Sequence, residues 1–417
     1  MIPNLKSKLI ALASMTSSSP SPEKVLPDHA ADHKDSTKDE RTGEDFGGRI
    51  IENPEGSFVH RTTVSTAVRT DDPAYSDYLK EGSCWWTRLE DGFSLGDVVF
   101  LDTETTGLFG GAGSLAFLIG IGCFTEKGLI IEQYLMRDFD EEYPMLKSLL
   151  DRLKEFRVLV TFNGKSFDWP LLESRFIFSR LKATDWEDRH IDLLHLSRRL
   201  WSRCLENCSL STIEKGILGL YREDDIPGYM IPKVYLEYLN TGDPAEMSRV
   251  LKHNEMDIAA MSALFLHISR LFQDPESRGD SFELLGIASE LERNHKVQEA
   301  AKCYECCIRK ARNQHIKAEA KKRYAYLMKR HFGPAEAMDV WEDIAAGEGN
   351  MFVYPYVEMA KYLEHTMKDF QKALDCTEKA IELAGRSGRH SAYVKKELLA
   401  RKRRLLKKIE RSRNKWA

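Results

Sequence analysis

The sequence predicts an α/β domain in the middle of the chain and an all-α domain of helical repeats behind it. Residues 95–272 alternate short apolar runs, typical of buried strands, with segments whose apolar residues recur at helical spacing. From residue 281 onward only the helical spacing remains. With 417 residues, 42% of them hydrophobic, the chain is long enough to bury two separate cores.

The N-terminal part of the chain is expected to carry little structure. Residues 12–47 are rich in Ser, Pro, Asp, Glu and Lys and nearly free of aromatic side chains, so residues 1–47 are predicted to be disordered. Residues 48–94 are predicted to be a lead-in to the sheet, with a short strand or turn at "SCWWTRLEDG". The first apolar stretch is too short for a signal peptide, so export is not expected.

The most informative segment of the α/β domain is "VVFLDTETTG". Its apolar run predicts a buried strand that opens to solvent at its end. Side chains alternate along a strand, so Asp102 and Glu104 share one face, about 6–7 Å apart, with Thr103 on the other face. Two carboxylates on one face repel each other unless a cation lies between them. The pair is therefore typical of a site for two divalent metal ions.

Two further acids are predicted to reach the same place. Asp168 follows the strand-like "RVLVTFN" and opens the next helix, and Asp257 lies on the apolar face of a long helical segment. Each acid alone has a structural explanation: chance for the Asp-x-Glu pair, a helix cap for Asp168 and a capped or ion-paired core acid for Asp257. Their joint occurrence at these spacings favours a shared site.

The other elements of the domain follow from the same patterns. "SLAFLIGIGCF" and "LIIEQYLM" predict paired strands, and "EEYPMLKSLLDRLKEF" predicts a helix before the second acidic segment. The helix breakers in "QDPESRGDSFE" mark the end of the domain.

Three segments of the chain resemble the exonuclease motifs of the DEDD superfamily: "DTETTG", "NGKSFD" and "HNEMD". The chain is most similar to the bacterial YprB-type subfamily, on segments such as "DTETTGLFGGAGSLAFLIGIG", "HIDLLHLSRRLW" and "CSLSTIEKGILGLYREDDIPGYMIP". The resemblance spans residues 95–270 and implies a ribonuclease-H-like fold, with a mixed sheet flanked by helices. Helical repeats behind the nuclease domain are a further similarity to this subfamily.

The resemblance implies a nuclease that uses two metal ions. Hard oxygen ligands favour Mg²⁺ or Mn²⁺ over zinc. In a site with two such metal ions, one activates a water for in-line attack on a phosphodiester, and the other stabilises the departing 3′ oxygen. The four residues implied as metal ligands are Asp102, Glu104, Asp168 and Asp257.

His253 is the candidate general base, because a neutral imidazole can accept a proton from water. It departs from the superfamily pattern, whose tyrosine subclass has Tyr four residues before the last acid and whose histidine subclass has His five before. Here His stands at the tyrosine spacing, and Lys252 lies five residues before Asp257. Residues i and i+4 share a helix face, so His253 still approaches the metals. The alternative is a hydrogen-bonding role behind the metal ligands.

Residues near the acids are candidates for substrate binding. The glycine-rich stretch 110–113 is either part of this site or a flexible turn. Asp192, after the strand-like "RHID", is a further candidate for the metal site, whereas "DDIPG" is interpreted as a structural turn. The candidates for contact with the terminal nucleotide are Thr105, Thr106, Gly107 and Asn163, the last of which could instead brace the loop before Asp168.

Residues 281–394 contain a recurring helical unit with a period of 36 or 37 residues. A small residue is followed four positions later by a bulkier one and three positions after that by another apolar one, which resembles tetratricopeptide repeats. The alternative is a generic helical bundle. A repeat domain of this kind is a candidate binding site for a protein partner. The aligned residues are Ala300, Ala337 and Ala373, then Tyr304, Trp341 and Thr377, then Cys307, Ile344 and Ala380.

The C-terminal segment 395–417 is strongly basic. It holds eleven Lys and Arg residues against two Glu, a net charge of +9, and the formal charge of −4 for the whole chain leaves −13 for the rest. Its partial apolar stripe predicts a basic amphipathic helix. Such a helix suits nucleic-acid phosphates, through counterion release. A solvated cap on the last repeat and a contact with anionic membrane are the alternatives.

Composition narrows the class of protein. No apolar run approaches the roughly 20 residues of a membrane-spanning helix. The eight cysteines show no paired framework, which indicates a reducing, cytoplasmic location. The Cys pairs at 204 and 208 and at 303 and 306 are interpreted as core residues rather than as a zinc site.

The leading hypothesis is a Mg²⁺- or Mn²⁺-dependent 3′→5′ exonuclease acting on single-stranded or frayed DNA or RNA, with the direction taken from the superfamily. One alternative is a non-catalytic scaffold that binds nucleic acid or a partner. Another is a structure-specific endonuclease on the same fold. The four carboxylates argue against the scaffold, because clustered acids destabilise a protein that does not use them.

Overall fold

A computed structural model describes residues 43–65, 87, 93–107, 114–186, 188–347, 352–386 and 392–414. The chain divides into two compact units. The sheet unit comprises the chain up to Arg198 together with Leu205–Ser269, and the helical unit comprises Arg199–Cys204 and Arg270–Ala417.

Among the described residues of the sheet unit, seven strands form one sheet in the order β1-β2-β5-β4-β3-β6-β7. The five strands from β1 to β3 are antiparallel neighbours, and β6 and β7 run parallel to β3. This mixed sheet confirms the predicted fold class. The strands are β1 (Arg49–Asn53), β2 (Gly56–Ser65), β3 (Val98–Thr105), β4 (Ala116–Thr125), β5 (Gly128–Leu135), β6 (Val158–Thr161) and β7 (His190–Asp192).

Strand β3 lies between β4 and β6, near the middle of the sheet. Its first four residues are buried because both faces of the sheet are covered, and its last four are half-buried. The two acids of the first motif belong to this second half, opposite the buried strand β4, with Asp102 paired to Gly120 and Glu104 to Leu118. A register shift between Glu104 and Thr105 ends the regular pairing.

Helices flank the sheet. The first of them buries the apolar face formed by Met145, Leu146 and Leu149, as its amphipathic pattern predicts. The helices are α1 (Glu142–Leu153), α2 (Asp168–Phe178), α3 (Leu193–Trp201), α4 (Leu210–Ile213), α5 (Ile231–Thr241) and α6 (Met247–Gln273).

Two expectations for the N-terminal region were wrong where the structure describes it. Residues 43–46, predicted to be disordered, form a 3-10 helix because Phe46 is buried against the edge of Tyr238, with ring centroids 5.7 Å apart. The predicted lead-in contributes strands β1 and β2 to the sheet, where β2 pairs with β5 along seven residues. "SCWWTRLEDG" lies outside the described residues apart from Thr87.

In the helical unit, each helix packs mainly against the next one in the chain. All nine aligned positions of the predicted repeat are buried, which accounts for the small–bulky pattern. Assignment of these hairpins to the tetratricopeptide class stays a prediction. The helices are α7 (Pro275–Arg278), α8 (Ser281–Arg293), α9 (Val297–Lys310), α10 (Gln314–His331), α11 (Met338–Ala346), α12 (Tyr354–Tyr362), α13 (Phe370–Arg386) and α14 (Ala392–Arg413).

The prediction of core cysteines is confirmed for Cys303 and Cys306, which are buried, and was wrong for Cys204, which is exposed, and Cys208, which is half-buried. The seven cysteines in the part of the chain that is described are free thiols, four of them buried. None of the described helices combines the length and apolarity needed to cross a membrane.

Candidate active site

Asp102 and Glu104 are largely buried on the half-exposed end of β3. Burial raises the pKa of both carboxyl groups well above the usual range, and the nearby negative charges of Asp257 and Asp168 raise each pKa further. Four acids from three segments of the chain are therefore electrostatic neighbours. Such a group is stable only with protons or cations among the carboxylates.

Asp168 is the first residue of α2, as predicted. The hydroxyl of Thr103 donates a hydrogen bond of 2.6 Å to its Oδ1, so Thr103 links the first acidic segment to the second. Burial raises the pKa of Asp168 to about 6, although this hydrogen bond lowers it, and the charge of Asp192 adds to the increase.

Asp192 braces the loop that leads to Asp168. Its carboxylate accepts hydrogen bonds from the backbone N–H groups of Asn163 (2.9 Å), Lys165 (3.2 Å) and Leu194 (3.0 Å). Asn163 adopts a left-handed backbone conformation, φ 67°, which asparagine tolerates better than most residues. These hydrogen bonds favour a structural role for Asp192, which stabilises the loop, over a role as a metal ligand. Asn163 takes part in the same loop through its backbone N–H.

Helix α6 lies very close to strand β4, and glycines in β4 make this possible. A Cβ at Gly120 would stand 2.1 Å from Asn254 Oδ1, and one at Gly122 would stand 2.4 Å from Ile258 Cγ2. Because residues 254 and 258 are one turn apart, both meet the same strand. The two glycines of "LIGIG" therefore allow the helix that carries Asp257 to approach the acid pair.

A chain of polar contacts joins Asp102 on β3 to Arg61 on β2, the strand next to the edge of the sheet. Asn254, 0% exposed, donates from Nδ2 to Asp102 Oδ2 at 2.9 Å and accepts at Oδ1 from Gln133 Nε2, also at 2.9 Å. Gln133 in turn accepts from Arg61 at 2.6 Å, and Arg61 forms an ion pair with Glu255 at 2.7 Å. These contacts hold the carboxylate of Asp102 in one orientation.

His253 stands between the acids on α6. Its Nδ1 is 2.7 Å from Asp225 Oδ1, and its Nε2 is 3.6 Å from Asp257 Oδ2 and 3.9 Å from Glu104 Oε1. The tyrosine spacing therefore does bring this imidazole to the acids. Asp225, which the sequence pattern assigned to a structural turn, orients the ring.

Arg222 is the cation that touches the third motif. Its guanidinium bonds to Asp257 Oδ1 and to the buried Glu214, and it lies 3.1 Å from Asp225 Oδ2. Asp257 is thus half-buried and ion-paired, which is the structural explanation that the sequence left open. Hydrogen bonds from His253 and Arg222 outweigh burial and lower the pKa of Asp225.

The donor set of the site fits a hard divalent cation, since all four acids offer carboxylate oxygens in a buried, negatively charged region. The side chains do not yet enclose one. Within the described ranges, no three His, Cys, Asp or Glu side chains stand close enough together to hold a metal ion. The reason is visible in the contacts: Asn254, Thr103 and Arg222 each hold a different carboxylate.

The candidates for substrate binding are engaged in a turn after β3. Thr105 donates its hydroxyl to the carbonyl of Gly107 at 2.7 Å, and Thr106 exchanges two hydrogen bonds with the backbone of Leu115. Their role toward a nucleotide stays a prediction. The stretch 110–113 lies outside the described residues.

Five residues that hold the acids in place were not predicted from the sequence. Asn254 and the glycines of β4 stood inside quoted segments, where a glycine pair at i and i+2 in an apolar strand signals close approach of another element. Gln133 and Arg222 gave no local signal, because each acts through a partner far along the chain.

Comparison with known proteins agrees with this fold. A family model described as the RNase_H superfamily matches residues 99–269. The uncharacterized protein YprB of Bacillus subtilis (strain 168) is 33% identical over 293 residues, which are 70% of this chain and 70% of that protein.

Among solved structures, the family B DNA polymerase of the hyperthermophilic archaeon Pyrobaculum calidifontis overlaps 52% of this chain at 18% identity and a TM-score of 0.35. The match spans only 30% of the polymerase chain. The extent and identity of the match to YprB are decisive, and the chain belongs to the YprB family, within the ribonuclease-H-like superfamily.

Proposed function

We propose that this protein is a divalent-metal-dependent 3′→5′ exonuclease that hydrolyses phosphodiester bonds at the end of single-stranded or frayed nucleic acid. The proposal rests on one observation: in a buried region, the charges of Asp168 and Asp257 add to the effect of burial and raise the pKa of Asp102 and Glu104. A binding scaffold gains nothing from such repulsion, whereas a metal site requires it. The 3′→5′ direction rests on the resemblance to the DEDD superfamily.

The four carboxylates would hold the metal ions, and Mg²⁺ or Mn²⁺ suits their hard oxygens. When bound, two such ions supply an activated water and neutralise charge on the leaving oxygen. The protein's own contribution is orientation. Asn254 fixes Asp102, Thr103 fixes Asp168, and neither contact uses all the oxygens of its carboxylate.

His253 is the group proposed to accept the proton from the attacking water. If its Nδ1–H donates to Asp225, the ring is held in the tautomer whose Nε2 is a free acceptor. That nitrogen faces Glu104 and Asp257, where the metals and water would lie. Asp225 is then a positioning residue for the base.

Arg222 has to release Asp257 before this carboxylate can join a metal site. The guanidinium keeps two other carboxylate partners, Glu214 and Asp225, so it can shift without losing its charge compensation. The present ion pair with Asp257 compensates the charge of an acid that otherwise lies beside like charges.

A second candidate function is a scaffold that binds nucleic acid without turnover. It is favoured by the Arg222–Asp257 ion pair and by the lack of a closed group of ligands among the described residues. An endonuclease on the same fold would differ from the main proposal in that it cleaves within a strand and needs no free end.

The test is a degradation panel with 5′-labelled single strands of DNA and of RNA in Mg²⁺, Mn²⁺ or chelator. We expect a ladder that shortens from the 3′ end with metal and no products with chelator. Asp102→Asn and Asp168→Asn should be inactive, while Asp151→Asn, at an exposed acid of α1, should keep full activity. Cleavage of closed circular strands would establish an endonuclease, and binding without any metal-dependent hydrolysis would establish the scaffold.

A further inference from the structure

Helix α14, the last helix of the helical unit, packs one face on the preceding helix α13. Leu398 and Leu405 are buried there, seven residues apart and therefore on the same side of the helix. The apolar stripe predicted from the sequence is thus only partly the attached face. Leu398, Leu405 and the partly buried Ile409 pack inward, whereas Leu399 and Leu406 are 44% and 47% exposed.

Part of the basic charge of α14 is neutralised inside the helical unit. Glu364, 0% exposed, accepts hydrogen bonds from Arg401 (2.7 Å), Arg404 (2.7 Å) and Lys408 (2.9 Å). Lys402 forms an ion pair with Glu378 at 2.8 Å. These four residues fit the interpretation of the helix as a cap on the preceding repeat.

A second set of basic residues points the other way. At 100° per residue, Lys396, Arg403, Lys407 and Arg411 fall along one line opposite Leu398 and Leu405. All four are exposed, and none forms an ion pair with any residue that the structure describes. We call these four residues the outer stripe. It extends over about 22 Å at 1.5 Å rise per residue.

We propose that the outer stripe binds the phosphate backbone of single-stranded nucleic acid, as a second contact for the substrate of the proposed nuclease. The choice of partner rests on that proposed function, whereas the stripe itself rests on the geometry of α14. The described part of α14 holds two acids, Glu397 and Glu410, against the four cations of the stripe, so the net charge of this surface stays positive. Contacts of this kind release counterions and do not read sequence.

Burial of Leu398 and Leu405 favours nucleic acid over the other polyanionic partner, a membrane surface. A helix that lies on a membrane inserts its apolar face among the lipids. In α14, Leu398 and Leu405 are buried against the preceding helices, with Leu405 0% exposed. Of the leucines described in this helix, that leaves Leu399 and Leu406 at the surface, which is less than the continuous apolar face of a membrane-surface helix. The stripe also offers a positive surface to a substrate that the rest of the chain, net −13 in sequence, repels.

The experiment compares two triple variants of the full chain, each of which removes three exposed positive charges. The stripe variant is Arg403→Gln, Lys407→Gln and Arg411→Gln. The control variant is Lys302→Gln, Arg312→Gln and Arg330→Gln, at exposed positions of the helical unit away from α14. Glutamine keeps helix propensity close to that of Lys and Arg, so both variants should fold, which circular dichroism verifies.

Binding of a labelled oligothymidylate is measured in chelator at a series of salt concentrations. We expect the stripe variant to bind about tenfold more weakly at low salt, and the slope of log affinity against log salt to fall by about 2, because each phosphate contact contributes about 0.7. The control variant should match the wild type in both measurements. Equal losses in the two variants, or an unchanged stripe variant, would refute the proposal.

Two further readouts separate the possible failures. Binding to vesicles of anionic phospholipid should not depend on the outer stripe; a stripe-dependent affinity for vesicles and none for the oligonucleotide would overturn the proposal in favour of a membrane contact. Hydrolysis is measured separately with Mn²⁺. Stripe-dependent binding without hydrolysis would reject the nuclease and keep the stripe, whereas hydrolysis with unchanged binding in the stripe variant would reject the stripe and keep the nuclease.

Discussion

Asn254 is the residue through which α6 touches the acid pair, and its amide has a fixed orientation. Gln133 donates to its oxygen, so its nitrogen must face Asp102. A carboxylate held by a neutral donor keeps its charge available for a cation, which would not be true of a partner that is itself a cation. The choice of Asn at this position therefore matches the proposed metal site.

Substitution of Asn254 separates hydrogen bonding from charge. Alanine leaves Gln133 and Asp102 without this partner, at a cost of about 1–3 kcal/mol for each buried polar group. Aspartate keeps the shape but places a second carboxylate 2.9 Å from Asp102 Oδ2. We expect both variants to have a lower free energy of unfolding than the wild type, measured in urea with chelator. For Asn254→Asp the decrease should be larger at alkaline than at acidic pH, where the new carboxyl group is protonated.

The control for this prediction is Asn207→Asp, at an exposed amide whose oxygen accepts from Ser209 and Thr212. A carboxylate accepts the same bonds, so its stability should match that of the wild type. An Asn254→Asp variant that unfolds like the wild type at every pH would show that Asp102 is not held by this amide.

At the scale of elements, the approach of α6 to β4 decides whether the third acidic segment reaches the first. Gly120→Ala and Gly122→Ala would place a methyl group 2.1 Å from Asn254 Oδ1 and 2.4 Å from Ile258 Cγ2. The helix must then move outward, at a typical cost of about 1–3 kcal/mol for overpacking. We expect each variant to unfold at lower urea concentration and to lose hydrolytic activity, because Asp257 moves with the helix.

Gly385→Ala is the matched control, because this glycine lies in helix α13 with no atom within 4 Å of an added Cβ. Alanine there should be neutral or slightly stabilising, by up to about 1 kcal/mol. Equal effects at Gly385 and at the β4 glycines would contradict the packing argument.

The elements that carry the acids were predictable from local pattern. β3 is an apolar run, Asp168 follows a strand and α6 has helical periodicity over 27 residues. Strands β1 and β2 were not, because β2 is an edge-side strand of alternating burial with Thr and Ser, which lacks an apolar run. Contacts of Arg222 with Asp257, 35 residues away, depend on tertiary pairing that no local pattern encodes.

The contacts of Glu364 with α14 should make the free energy of unfolding depend on pH. Burial opposes ionisation of Glu364, but the hydrogen bonds from Arg404 and Lys408 prevail and lower its pKa to about 2. An unfolded glutamate has a pKa of about 4.3. A lowered carboxyl pKa contributes stability above the unfolded value, and this contribution is lost as the pH falls toward the folded value.

We therefore expect Glu364→Gln to be less stable than the wild type at neutral pH by about 3 kcal/mol, at 1.36 kcal/mol for each unit of pKa. The difference should stay constant down to about pH 5 and shrink between about pH 4 and 2. Guanidinium unfolding at a series of pH values measures it. Glu397→Gln, at an exposed acid of the same helix, should show no difference, and a Glu364→Gln effect that is independent of pH would contradict the assignment.

For the whole molecule, repulsion among the four acids should lower the free energy of unfolding when no metal ion is bound. The fold holds Asp102 and Glu104 in a buried region where neighbouring charges raise both pKa values. When a charged residue serves function but lowers stability, removing its charge makes the protein more stable. The free energy of unfolding should therefore rise both when one of the four acids is neutralised and when metal is added.

In chelator, Asp102→Asn should be more stable than the wild type by about 0.5–2 kcal/mol, the usual range for one stabilising substitution. With Mn²⁺ at about a hundredfold excess over its dissociation constant, the wild type should gain about 2.7 kcal/mol, and the variant should gain much less. Thermal unfolding with and without metal measures both effects, with Asp151→Asn, whose side chain is 63% exposed, following the wild type. A wild type indifferent to Mn²⁺ and Mg²⁺, together with a destabilised Asp102→Asn, would mean that the four acids are structural and that the protein does not hold the metals a nuclease of this kind requires.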